Sequence, residues 1–336
     1  MNKKIFGYIL AALLFLGGLG ICEDAEAETA TIVDGMGHSV NVSTPVLEAV
    51  SISSRASEVI CALGAGDRIV GRDSYSVFPP SLEDVPVVAG FSYSPSVELI
   101  LELEPDLVIA DSMLPADNRK TMEDAGIPVI VETDWDPTTI GTAVSHLGIL
   151  LEKEDEAEEL IDFMGTYQEI VDERVSGLSD EDKPAVFFEW QRAYYSMGSG
   201  TLFHNLTTVS GGRNIAAEEP VQYPTLSPEW VVERDPDVIV RYVSNTAGEN
   251  LTENMAERRN EILARPELAE VKAIKDDRVY ILGDPVASGI RSLIGELYLA
   301  KWFHPTLFED IDPEAVHREL LKKFFDQDLV EVGVYS

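Results

Sequence analysis

The sequence predicts an α/β protein of two lobes with parallel sheets, joined by a single long α-helix. Three observations carry that expectation. Short apolar runs alternate with helical patterns along most of the chain, the segment 139–182 breaks the alternation with an extended helical pattern, and a block from the first half returns in the second. The division that follows is a leader over 1–27, an N-terminal lobe over 28–138, a connecting helix over 139–182 and a C-terminal lobe over 183–336.

The leader opens with Lys3 and Lys4, followed by an apolar run from Ile5 to Ile21 and then Cys22. A basic start before an apolar stretch of this length reads as a secretory signal. Three endings compete. Ala25-Glu26-Ala27 fits a cleavage site, Cys22 is a candidate lipid acceptor although Ile21 stands where such signals favour a small residue, and an uncleaved anchor is the third. Each places the body outside the cytoplasm, with the membrane reached only through this segment. Cys61 is the other cysteine, so no disulfide framework is available, and its apolar helical setting marks it as a packing residue.

Next, Thr31 to Val42 reads as a weak hairpin around Asp34-Gly35, and Ala49 to Ser53 as a strand. "EVICALGAGDRIVG" from Glu58 reads as a helix stopped by Gly64 and Gly66, then a strand. The alternation continues with a helix from Val97, a strand at "DLVIA", a helix near Asn118 to Ala125 and a strand at "IPVIVE". Within 139–182, Leu160, Phe163, Met164, Tyr167, Ile170 and Val171 share one helical face, a stripe that indicates core packing. The second lobe opens with the strand "AVFFEW".

The internal repeat is specific. Glu98 to Ile109, "ELILELEPDLVI", aligns without a gap on Glu229 to Val240, "EWVVERDPDVIV". Glu recurs at the first and fifth positions, and the helix stays apolar at matching places except where Leu103 meets Arg234. Pro105 and Pro236 cannot continue a helix, and the apolar runs after them enter buried parallel strands. Two related lobes follow from this repetition, each Rossmann-like in its order of elements.

Lys and Arg number 25 against 60 Asp and Glu, a formal charge of −35 over 336 residues. Such acidity repels nucleic acid and anionic lipid and indicates a solvated surface.

The ordered blocks "SEVICALGAGDRIVGRDSYSVFPP", "PSVELILELEPDLVIA", "LSPEWVVERDPDVIV" and "DRVYILGDPVASGIRSLIGELYLAKWFHP" resemble those of ABC-importer substrate-binding proteins for ferric siderophores, haem and vitamin B12. The resemblance runs from the hairpin to about Phe325. It implies a monomeric, extracytoplasmic receptor that traps a metal chelate in an interlobe cleft and delivers it to a permease dimer with its ATPase. It further implies that Glu98 and Glu229, one per lobe, dock on that permease. One exposed carboxylate per lobe suits a two-fold partner with basic pockets.

Cleft residues are expected in loops at the carboxyl ends of strands. Arg55 follows the first strand, and Trp190, Arg192 and Tyr195 follow the strand that opens the second lobe. Tyr75, Phe91, Tyr93 and Tyr223 stand where the resemblance places cleft aromatics, and Arg291 lies in the loop after the last strand. Tyr75, Tyr223 and Arg291 are the foremost of these. Aromatic walls suit a large, flat, partly apolar ligand, and a few arginines suit its anionic oxygens. His38, His146, His204, His304 and His317 are scattered, and His204 reads as a surface residue. No resident cofactor is therefore expected, and a metal arrives only inside the chelate. Catalysis is not indicated: no nucleophile elbow occurs, and "GSGTLF" lacks the third glycine of a dinucleotide fingerprint. A chelatase-like enzyme on a related scaffold and a structural cell-surface protein are the competing readings.

Overall fold

The computed structural model describes residues 28–133, 135–244 and 250–336. The leader, with Lys3, Lys4 and Cys22, lies outside the described residues. Among those described, no helix is long and apolar enough to cross a membrane.

The expected hairpin is present as β1 (Glu28–Val33) and β2 (Ser39–Thr44), antiparallel in full register. The first lobe continues with β3 (Ala49–Ser51), α1 (Ser54–Ala62), β4 (Ile69–Asp73), β5 (Val87–Ala89), α2 (Val97–Glu102), β6 (Leu107–Ala110), α3 (Ala116–Asp124) and β7 (Val129–Val131). Its sheet runs β5-β4-β3-β6-β7, parallel throughout.

The segment expected to form one connecting helix is two. α4 (Ile140–Leu151) packs beside α1 and the hairpin, and α5 (Glu154–Val175) packs on second-lobe helices. Glu152 separates them in the left-handed region at φ 50°, and the Lys153 N–H donates to the Gly148 carbonyl. At 22 residues, α5 is a strut about 33 Å long. The apolar stripe read from the sequence faces inward on it, with Leu160, Phe163, Met164 and Val171 buried.

The second lobe contains β8 (Ala185–Trp190), α6 (Leu202–Val209), β9 (Arg213–Asn214), α7 (Pro228–Arg234), β10 (Val238–Val243), α8 (Leu251–Leu263), α9 (Lys272–Lys275) and β11 (Val279–Gly283). α10 (Ser292–Phe303), α11 (Pro313–Phe325) and β12 (Val334–Tyr335) complete it. Its sheet runs β12-β11-β10-β8-β9, parallel except for β12.

The sequence repeat is a structural repeat down to its hydrogen bonds. In each copy the acid before the proline, Glu104 or Asp235, ends its helix at positive φ. The aspartate after the proline then accepts from the chain entering the neighbouring strand. Asp106 Oδ2 takes the Leu47 and Glu48 N–H groups at 2.8 and 2.9 Å, and Asp237 Oδ2 takes the Ala185 N–H at 2.8 Å.

Side chains alternate across each sheet as strand geometry requires. Leu107 and Ile109 of β6, with Val186, Phe188, Val238 and Val240 of β8 and β10, belong to one continuous core that also takes in α4, α5, α10 and α11. Val108 and Ala110 face a private core of the first lobe, and Phe187 and Ile239 one of the second. The lobes are thus joined by packed hydrophobic interior as well as by the strut.

Candidate functional site

The carboxyl ends of the two sheets abut. The chain leaving β3 enters α1, and the chain leaving β11 enters a short turn at Ser288–Arg291; these two segments touch. Arg55 Nε donates to Ser288 Oγ at 2.9 Å, and Arg291 pairs with Glu58 through Nε at 3.0 Å and also through Nη2. The Arg291 guanidinium lies over the Phe78 ring, 4.4 Å from its centroid, and Phe78 meets Phe325 edge-on. The Gly289 N–H donates to the Trp135 carbonyl, with Gly289 at φ +69° packed on Arg55. Arg55 and Arg291, expected as ligand contacts, are therefore both engaged in holding the lobes together.

The remaining expected residues assemble into two aromatic groups, one per lobe. In the first lobe Tyr75 stacks on Phe91 at 4.1 Å, and Phe91 stacks on Tyr93 at 5.0 Å. β4 and β5 are neighbours, so their outgoing loops are adjacent. Ser74 stitches them together, its N–H donating to the Ala89 carbonyl and its hydroxyl to the Gly90 carbonyl. Asp73 Oδ1 accepts the Tyr75 and Ser76 N–H groups at 2.8 and 2.7 Å, fixing the turn that presents Tyr75. Burial nonetheless holds the Asp73 carboxyl above its ordinary range.

In the second lobe Trp190 lies 5.5 Å from Tyr195 and 5.2 Å from Tyr223. Arg192 covers Tyr195 at 4.1 Å, a cation–π contact, and has no acidic partner among the described residues. The chain around Tyr195 runs antiparallel to that around Tyr223: Leu226 N–H donates to the Tyr194 carbonyl, Ser196 N–H to that of Pro224 and Gly198 N–H to that of Gln222. Tyr75, Tyr93 and Tyr223 stand 45, 53 and 45% exposed.

Beneath the second wall lies a charged network that sequence reasoning missed. Glu189, fully buried, accepts the Tyr194 N–H at 2.7 Å, Arg241 at 2.8 Å and Arg265 at 2.5 Å. Arg241 also donates to the Gln191 carbonyl, and Arg265 lies over the Tyr194 ring. Gln191 and Tyr194 both adopt positive φ, so the network holds a tight loop that the bare backbone disfavours. A charged residue inside the apolar run "AVFFEW" was the one available signal.

Glu98 and Glu229 are exposed in the first turns of α2 and α7, each two residues after a serine N-cap. Hydrogen bonds from its own backbone N–H and from Ser227 hold the Glu229 carboxyl below its ordinary range. His204 is half-buried and its ring meets Asn214, so it is no surface residue, and burial lowers its pKa. Burial, with Glu58 nearby, pushes the Cys61 thiol up to about 12, which leaves it protonated and packed against the core. Among the described residues no group of three or more His, Cys, Asp or Glu is disposed to hold a metal ion.

Two α/β lobes thus share one hydrophobic core, and each carries a cluster of three aromatic rings beside its sheet. The chain matches the "Periplasmic binding protein" family over residues 50–286 and belongs to it. It is 26% identical over 330 residues to the uncharacterised ABC transporter substrate-binding lipoprotein YvrC of Bacillus subtilis, covering 92% of this chain and 100% of that one. It is 26% identical over 197 residues to the vitamin B12-binding protein of Vibrio campbellii, covering 58% of this chain and 70% of the relative. The fold is shared with the TroA-like periplasmic binding protein FepB of Veillonella parvula, at a TM-score of 0.76, 22% identity and coverage of 91% and 99%. The chain is accordingly an extracytoplasmic substrate-binding protein of ABC-transporter type, and not an enzyme.

Proposed function

We propose that this protein captures a flat, bulky metal chelate of the corrinoid or haem kind between its aromatic walls. It then hands the chelate to a permease dimer and ATPase, with Glu98 and Glu229 docking on the permease. The metal enters as part of the cargo. The observation that carries the reading is the pairing of ring clusters, Tyr75, Phe91 and Tyr93 on one lobe and Trp190, Tyr195 and Tyr223 on the other. Six rings offer extensive apolar and π contact, while Arg55 and Arg291 already have partners. That balance suits a guest of low net charge better than a polyanion. Relatives that bind vitamin B12 lend the corrinoid reading support. A ferric siderophore is the second reading, favoured by Arg192, which is free to meet an anionic oxygen.

Titration with cyanocobalamin, haem and a ferric tris-catecholate, followed by quenching of tryptophan fluorescence, tests this. At least one of the first two is expected to bind saturably and be recovered chemically unchanged. Tyr223→Ala is expected to weaken that binding by about 1–3 kcal/mol, roughly 5- to 150-fold, as loss of an aromatic anchor does. Silence toward all three chelates, or their conversion, rules the reading out.

A further inference from the structure

We propose that a pocket beside the strut helix is a second binding site, independent of the cleft, for a small organic ammonium ion held by Glu296. The pocket, of about 400 Å³, lies between α5, α6, α10 and the loop before α4. Glu296 projects from α10, a helix otherwise packed with Leu293, Ile294, Leu297 and Leu299, and is itself only 3% exposed. Its Oε2 has no hydrogen-bond partner among the described residues. Gln168 of α5, which shares the pocket, donates from Nε2 to the Pro137 carbonyl at 2.6 Å.

An acid in such a place is costly unless something compensates it, and packing alone would favour leucine or methionine. Lys183, at the pocket's edge, leans 3.8 Å from Asp180 instead. The missing partner is a cation. Pro137, Val175 and Val209 line the same space, so the cation should carry hydrocarbon. The absence of a metal-holding group among the described residues argues against a bare metal ion. Asp172 at the exposed side adds negative charge that draws a cation in.

Burial pushes the Glu296 carboxyl up to about 7, and only its ionised form can pair with an ammonium group. Affinity therefore rises with pH through neutrality. The other charged groups lining the pocket are Asp172 of α5 and Lys183 before β8, and the His304 ring stands behind its wall on the Gly211 carbonyl.

Calorimetric titration of the full chain with n-butylammonium chloride tests the site. Binding is expected to be about tenfold tighter at pH 8 than at pH 6, with 1-butanol giving no saturable heat. Glu296→Gln should weaken it at least about tenfold and flatten the pH profile. Val209→Phe should abolish it by filling the space while leaving the carboxyl in place. Should Glu296→Gln fail to fold, the wild-type pH profile and Val209→Phe decide. No saturable binding by the wild type, equal binding of 1-butanol, displacement by equimolar sodium, a pH-independent affinity, or undiminished binding by either variant overturns the proposal.

Discussion

His317 and Glu296 are buried titratable side chains on adjacent helices, and they bend stability with pH in opposite directions. Both ring nitrogens of His317 are without partners among the described residues, and desolvation, with the Arg291 charge, pushes its pKa down to about 3. Between pH 6.5, its ordinary value, and about 3 the unfolded chain takes a proton that the folded chain refuses, so stability falls as pH falls. Glu296 behaves inversely. From its ordinary 4.5 up to about 7 the folded chain keeps a proton that the unfolded chain releases, so stability falls as pH rises. Between about 4.5 and 6.5 the two slopes cancel, which predicts a plateau. Glu296→Gln should remove the alkaline loss, adding about 3 kcal/mol at pH 8, and leave a curve that declines steadily below pH 6.5. His317→Leu should leave the opposite slope. Urea unfolding from pH 4 to pH 8 measures both, and parallel profiles for the wild type and the two variants would refute the assignment.

At the scale of one element, β8 and the loop after it depend on the Glu189 network. Removing the carboxylate leaves Arg241 and Arg265, 2% and 8% exposed, with only the partly exposed Glu261 as countercharge. Glu189→Ala is expected to cost about 3–5 kcal/mol in urea unfolding and to loosen Trp190 and Tyr195 as well, seen as lost chelate affinity. A loss below about 1 kcal/mol would show that the two arginines find other partners. How much of this was legible in the sequence follows the range of the forces involved. The helix–Pro–Asp–strand blocks were readable because proline, helix periodicity and a buried apolar run act within a dozen residues. Trp190 and Tyr195 were readable because parallel sheets deliver loops at their carboxyl ends, whereas Tyr75, Phe91, Tyr93 and Tyr223 were picked out by the family resemblance. The break at Glu152 was not, since neither glycine nor proline marks it; it is set by the close approach of Gly148 to Ala157, where an added Cβ would lie 2.6 Å from the Ala157 Cβ. Nor was the engagement of Arg291, whose partner Glu58 is 233 residues away along the chain.

Across the whole molecule, the continuous core and the strut fix the distance between equivalent points on the two lobes. Glu98 and Glu229 are such equivalent points, each exposed in the first turn of a repeated helix. A hinge built from flexible strands would let that spacing wander; a shared interior with Arg291–Glu58 across it does not. The docking proposal therefore predicts a geometric effect, separable from the general acidity of a chain with charge −35. Glu98→Ala with Glu229→Ala should leave chelate affinity unchanged and abolish uptake by the reconstituted importer, each single change giving partial loss. Asp180→Ala with Glu309→Ala removes the same charge from exposed positions elsewhere and should leave uptake intact. Electrostatic pairing mainly sets association rate and register, so the single variants should show their deficit most at low salt. Equal loss in the control pair would reduce the two glutamates to bulk charge, and normal uptake by the double variant would remove them from the docking surface.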